Sequence, residues 1–415
     1  MVLFLSSGFN LFILVTAFYI IYFLYYIKDY IKVDSMSIYK NIGIYIHVPF
    51  CVKKCPYCDF YSVAYDHKSN LEKQYFESLI EEIKSYKVAA KKNKVLVDTI
   101  YFGGGTPSIV DSVNIKNVLN TVKHTFKNKN LEITLEINPG TVDEKYLIDL
   151  EKMGINRLSF GLQSANDDEL YILGRSHLVN EAKIAIDSAK KVGFKNISVD
   201  LILGIPNQTL DKVKTSLEFI EKLDISHVSA YIIQIEKNTL FNKQSIIEKI
   251  PNEDLMADIY LYTVDKLKKM GFNQYEISNF SKPGFESKHN LKYWNRNEYI
   301  GFGPAAHSFF GDKRYYLDKN IYKYIGMGQN KQFNYIDEKN DNIINEYIML
   351  KLRTCSGISL IEMREIYPRI LVEEFLNNIK KYYNEKYIYM DENIVKLTPE
   401  GFLIYNTIVS NIMID

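Results

Sequence analysis

Three cysteines fall within eight residues, Cys51-Val-Lys-Lys-Cys55-Pro-Tyr-Cys58. Thiolates are soft ligands, and three of them at spacings of four and three can hold three corners of a cubane iron–sulfur cluster. The remaining cysteine, Cys355, is distant in sequence. An iron with no protein ligand keeps an open coordination position, as catalytic zinc does, and can take a substrate or cofactor directly. The competing reading is a zinc site that lacks a histidine ligand. Four cysteines in 415 residues do not make a disulfide framework, and their clustering points to a metal site in a reducing compartment.

Other residues suited to ligand chemistry stand at intervals downstream. Gly103-Gly104-Gly105-Thr106-Pro107 lets backbone approach a ligand closely and exposes its N–H and C=O groups. Glu136 precedes Ile-Asn-Pro-Gly, Gln163 closes Ser-Phe-Gly-Leu-Gln163, and Asp200 sits inside the apolar run Ser-Val-Asp200-Leu-Ile. A charge in such a run needs a partner, because burying it alone is costly. For Asp200 the partner is a bound ligand or an ion pair, with Arg175 a candidate.

The elements that must position these groups alternate. Apolar, β-branched runs at 43–48, 97–102, 131–137, 155–162, 197–203 and 227–234 read as strands. Amphipathic stretches near 70–92, 111–127, 142–153, 178–193 and 210–223 read as helices, with Val213, Leu217, Ile220 and Leu223 at helical spacing. Six strands each followed by a helix imply parallel βα units with right-handed crossovers. The expected fold is α/β: an incomplete (β/α)6 TIM-type barrel, with its chemistry at the C-terminal strand ends, and a small C-terminal α+β domain. The chain divides as a leader at 1–35, a barrel at 36–280, a linking region at 281–334 and a final domain at 335–415.

The cysteine spacing resembles the signature of the radical S-adenosylmethionine superfamily. The segments around it are similar to the branch that contains oxygen-independent coproporphyrinogen dehydrogenases and haem chaperones, from about residue 43 to the C-terminus. That resemblance implies a [4Fe–4S] cluster on Cys51, Cys55 and Cys58, with S-adenosylmethionine on its open iron. It further implies S-adenosylmethionine contacts from Tyr45, Phe60, Gly104, Gly105, Thr106, Glu136, Gln163, Arg175 and Asp200.

Two features separate the members of the branch. The dehydrogenase carries a further cysteine two residues after the third cluster cysteine, where this chain has Phe60. His289-Asn-Leu-Lys-Tyr293-Trp294 resembles a chaperone motif that the dehydrogenase lacks. A neutral histidine can ligate haem iron, and aromatic rings can pack on a porphyrin. The plain alternative is a hydrogen-bonded His289 with Trp294 in a core. His307, in Gly-Pro-Ala-Ala-His307-Ser308, offers a second axial ligand, although its Gly-Pro loop suggests a structural role. The resemblance therefore implies haem binding and transfer to an acceptor that the sequence does not name. Its rival is radical oxidative decarboxylation of coproporphyrinogen III in porphyrin biosynthesis.

The formal net charge of +1 gives no field that steers the chain toward nucleic acid. Residues 1–27 carry no charge, about the length a membrane span needs, and Lys28, Lys32 and Lys40 follow. The positive-inside tendency then puts everything beyond them in the cytoplasm, attached to the cytoplasmic face of the membrane. The alternative is a natural start at Met36, with the first 35 residues misassigned.

Overall fold

The computed structural model describes residues 39–339 and 342–414. The apolar leader, and with it the expected anchor, lies outside them. No helix among the described residues is long and apolar enough to cross a membrane.

Strand composition builds the frame. In β1 (Lys40–Val48), Ile42, Ile44, Ile46 and Val48 are fully buried on one face, while Gly43, Tyr45 and His47 alternate with them on the other. The same alternation runs through β2 (Val95–Gly104), β3 (Lys127–Ile137), β4 (Arg157–Gln163), β5 (Asn196–Leu203) and β6 (His227–Ile232). Successive strand side chains point to opposite faces, so each strand offers one aliphatic and one largely polar face. The aliphatic faces pack into a single core with α1 (Leu71–Ser85), α2 (Ser112–Thr125), α3 (Glu144–Lys152), α4 (Val179–Val192), α5 (Leu210–Glu221) and α6 (Glu253–Lys269). A parallel sheet wrapped by helices on both faces would be apolar throughout. Here the second face is polar because it lines an interior.

Side chains start several of these helices. Asp111, Asp143, Thr209 and Asn252 each accept a hydrogen bond from a backbone N–H in the first turn of α2, α3, α5 and α6. Gly193, at φ 119°, ends α4 in a conformation that favours glycine.

Strands β1 to β6 pair in parallel in sequence order. The sheet then continues on both sides. β7 (Asn279–Ser281) pairs antiparallel with β6, and β8 (Tyr299–Phe302) pairs in parallel with β1, making a seventh parallel strand. An antiparallel meander follows, β9 (His307–Phe310), β10 (Lys313–Tyr316) and β11 (Ile336–Glu338). Together with Asn273–Gln274 beside β7, the sheet has twelve strands, and no strand pair among the described residues joins its two edges. This is the open arrangement expected of an incomplete barrel.

The C-terminal part is α+β. Helices Ile343–Lys351, Leu360–Ile366 and Arg369–Lys381 surround a small sheet formed by Ile358–Ser359, Ile388–Met390 and Ile394–Leu397. The helices are separated at Gly357 (φ 66°) and at Pro368, which caps the third helix.

Candidate cluster and cofactor site

The C-terminal strand ends open onto a cavity of about 1100 Å³. The three cysteines reach it from the loop after β1. That loop is tied down by the adjacent glycine loop: Gly105 N–H donates to Val48 O and Thr106 N–H to Phe50 O, both at 2.8 Å. A Cβ on Gly105 would stand 2.7 Å from Phe50 O, and one on Gly104 (φ 116°) 2.7 Å from the His47 ring. Only glycine permits this approach. Thr106 Oγ1 lies 3.4 Å from Cys51 Sγ, and Arg175 Nη1 lies 3.8 Å from Cys55 Sγ. Burial raises the thiols of Cys51 and Cys58 above their usual range.

Tyr45, Phe60, Gly104, Gly105, Thr106, Glu136, Gln163, Arg175 and Asp200, expected around S-adenosylmethionine, all line this same cavity with the three cysteines. Glu136 accepts from the Tyr101 hydroxyl at 2.9 Å and from Gly104 N–H at 3.2 Å. Burial, then the neighbouring charge of Asp200, pushes Glu136 up to about 7. Asp200 accepts from Ser159 Oγ at 3.2 Å and is likewise raised by burial. No ion pair joins it to Arg175 among the described residues. Arg175 instead donates to Gly161 O at 3.0 Å, and its buried Nε has no hydrogen-bond partner. Gln163 takes φ 69° at the end of β4.

The histidine motif lies beneath the cavity, with Tyr293 in its lining. His289 lies on α7 (Lys288–Trp294), which packs under the cavity against Gly43 of β1, Thr99 of β2 and Glu132 of β3 and so forms its floor. Glu132 accepts from the backbone N–H of Lys288 and His289, and Lys292 pairs with Asp98 at 2.8 Å. The His289 ring is 1% exposed. Its Nδ1 lies 2.9 Å from Thr99 Oγ1 and its Nε2 2.8 Å from the Tyr293 hydroxyl, so both nitrogens are engaged. Burial lowers its pKa to about 3. Tyr293 reaches the cavity, but Trp294 packs instead under the Arg353 guanidinium, 5.2 Å from the ring centre. Of the three residues expected to contact a porphyrin, Tyr293 lines the cavity, while His289 and Trp294 are engaged with protein partners.

Sequence reasoning missed several interior groups. Tyr101, Ser159 and Tyr231 line the cavity, while Arg157, Ser198 and His227 are buried on the same inward face. Arg157 is 1% exposed, its Nε lacks a partner, and its charge acts on both Glu136 and Asp200. The period-two polar positions within apolar runs would have marked all of them.

The donor set fits the expected groups. Three convergent thiols suit iron, glycines clear a path for a ligand, and a buried Glu–Asp pair suits a cationic ligand with hydroxyls. The unpartnered Arg175 Nε suits an acceptor. An open α/β barrel with this loop after its first strand defines a class, and the Radical SAM superfamily model matches residues 45–220. The HemN C-terminal domain model matches residues 339–404.

Heme chaperone HemW of Lactococcus lactis subsp. lactis (strain IL1403) is 33% identical over 380 residues, 91% of this chain and 98% of that protein. Heme chaperone HemW of Bacillus subtilis (strain 168) is 34% identical, over 88% of this chain and 97% of its own. The chain belongs to the HemW family of radical SAM proteins. In fold it is similar to the Escherichia coli coproporphyrinogen III oxidase HemN, with a TM-score of 0.77 at 20% identity, covering 90% of each chain. Superfamily membership implies a [4Fe–4S] cluster and S-adenosylmethionine.

Proposed function

We propose that this protein is a haem chaperone that binds haem and passes it to an acceptor protein, carrying a [4Fe–4S] cluster with exchangeable S-adenosylmethionine. The observation that carries this reading is identity above 30% with heme chaperones over nearly the whole of both chains. Phe60, in place of the dehydrogenase's additional cysteine, supports it.

Cys51, Cys55 and Cys58 would hold the cluster, whose chemistry when bound is one-electron reduction of a sulfonium. The chain's own part is positional. Gly104, Gly105 and Thr106 offer backbone to the methionine moiety, and Glu136 offers a carboxylate to its ammonium. Gln163, Arg175 and Asp200 offer polar contacts to the nucleoside, and Tyr45 and Phe60 offer ring faces. The cytoplasm suits this site, because thiolates stay reduced there.

The test is one anaerobic incubation of reconstituted protein with coproporphyrinogen III and S-adenosylmethionine, beside a haem-transfer assay to an apo-haemoprotein. The chaperone reading expects haem transfer and no protoporphyrinogen IX. Robust porphyrinogen turnover would replace it with the dehydrogenase.

A further inference from the structure

The chaperone reading requires a haem site, and both ring nitrogens of His289 are already engaged with Thr99 and Tyr293. All seven histidines lie within the described residues. Two line the cavity, His47 and His307. His47 has both ring nitrogens engaged, Nδ1 at 3.0 Å from the Tyr45 hydroxyl and Nε2 at 2.9 Å from Tyr61 O. His307 differs. It opens β9 just past the end of β8, on the cavity's rim, with its side chain 48% exposed. Its ring stacks on Tyr316, with centroids 4.8 Å apart and 19° between planes. Its Nδ1 lies 3.5 Å from Glu338 Oε2, and its Nε2 makes no hydrogen bond within the described residues.

This is the preparation a metal-binding imidazole needs. A carboxylate beside one nitrogen fixes ring and tautomer and raises the basicity of the other. The surroundings fit one class of metal ligand in particular. The cavity is about 1100 Å³, and His307 is among its lining residues. Val52, in the cysteine loop, is 65% exposed at the same cavity and offers apolar surface to a flat macrocycle. Lys53, Lys54 and Lys319 line it against two exposed acids, Asp59 and Glu236, and can meet paired carboxylates.

We propose that His307 is the axial ligand of an iron porphyrin seated at the cavity mouth, with Val52 against the ring and the lysines on its propionates. This rests on the chaperone reading and names its cargo site. The buried Gly303-Pro304 turn before His307 then serves to hold the start of β9 so that the ring points outward.

The test titrates haemin into the reconstituted full-length chain and follows the Soret band, with iron and sulfide content as the check on folding. Wild type should show a histidine-type Soret shift. His307→Ala should lose it with the cluster intact, and His307→Cys should restore binding with a thiolate-type spectrum. Glu338→Ala should weaken binding about tenfold. A wild-type spectrum in His307→Ala, or its loss in His289→Gln alone, would overturn the His307 assignment and leave the chaperone reading standing. Failure of the wild-type chain to bind haemin would overturn the chaperone reading itself.

Discussion

The ring of Tyr101 lies over that of His289, with centroids 5.2 Å apart and 27° between planes, while its hydroxyl donates to Glu136. The floor helix and the carboxylate proposed to hold the cofactor are therefore joined through one side chain. His289→Ala would strip Thr99 and Tyr293 of their buried partner, and an unsatisfied buried group costs about 1–3 kcal/mol. We expect a fall of several degrees in Tm and weaker S-adenosylmethionine binding by calorimetry. An unchanged melting curve would mean that the floor does not depend on this ring.

Replacing Cys51, Cys55 or Cys58 with alanine should abolish a cluster of about four irons per chain on anaerobic reconstitution. Cys355→Ala should not. Cys355 sits in the C-terminal part, where its backbone N–H donates to Tyr275 O, and burial pushes its thiol up to about 12, far from thiolate character. Iron lost on replacing Cys355, with circular dichroism unchanged, would disprove the ligand assignment.

Gly105→Ala places a methyl 2.7 Å from a backbone oxygen of the cysteine loop, a contact no rotamer relieves. The loop must shift, so iron content after reconstitution should fall sharply while the helical signal persists. Gly271→Ala is the comparison. There a Cβ meets nothing within 4 Å, although φ 85° strains the backbone, so stability should drop and iron content hold. Equal iron in both variants would show that loop spacing is not critical.

Glu136 gives the site a pH dependence. Its folded pKa of about 7 lies above the ordinary glutamate value near 4.3, so its contribution to stability is fully present below that ordinary value. That contribution is lost as pH rises through about 7. Glu136→Gln should therefore gain on wild type between pH 5 and pH 8. Binding of a cationic ligand wants the ionised form, so S-adenosylmethionine should bind more tightly at pH 8 than at pH 6 and release a proton near neutrality. The release would appear as a buffer-dependent enthalpy. The same pH slope in Glu136→Gln would assign the effect to another group.

Much of the fold was legible because each strand–helix unit carries its own periodicity. Six strands appear where the apolar runs stand, and the helices match within a few residues. β8 was not legible. Tyr299–Phe302 is four residues long and follows α7 rather than a long amphipathic crossover, so only pairing with β1 makes it a strand. The cavity-lining residues were legible one by one at strand ends. What escaped was the polar face below them, because Ile-Tyr-Ile-His-Val in β1 reads as apolar until its alternation is taken as two faces. The surroundings of His289 were illegible for another reason: Thr99 lies 190 residues away in sequence, so the contact between its hydroxyl and the His289 ring appears only in the fold.

If guests enter the cavity only past the C-terminal strand ends, whatever occupies its depth arrives before whatever occupies its mouth, and leaves after it. Loading would then be ordered like a stack, with the last guest in being the first out. Cargo at the rim would slow cofactor exchange without touching the cofactor, and its departure would be the event that resets the protein. Kinetics alone would reveal this: cofactor dissociation should become gated once the mouth is filled, with an unchanged equilibrium constant if the two guests do not otherwise interact.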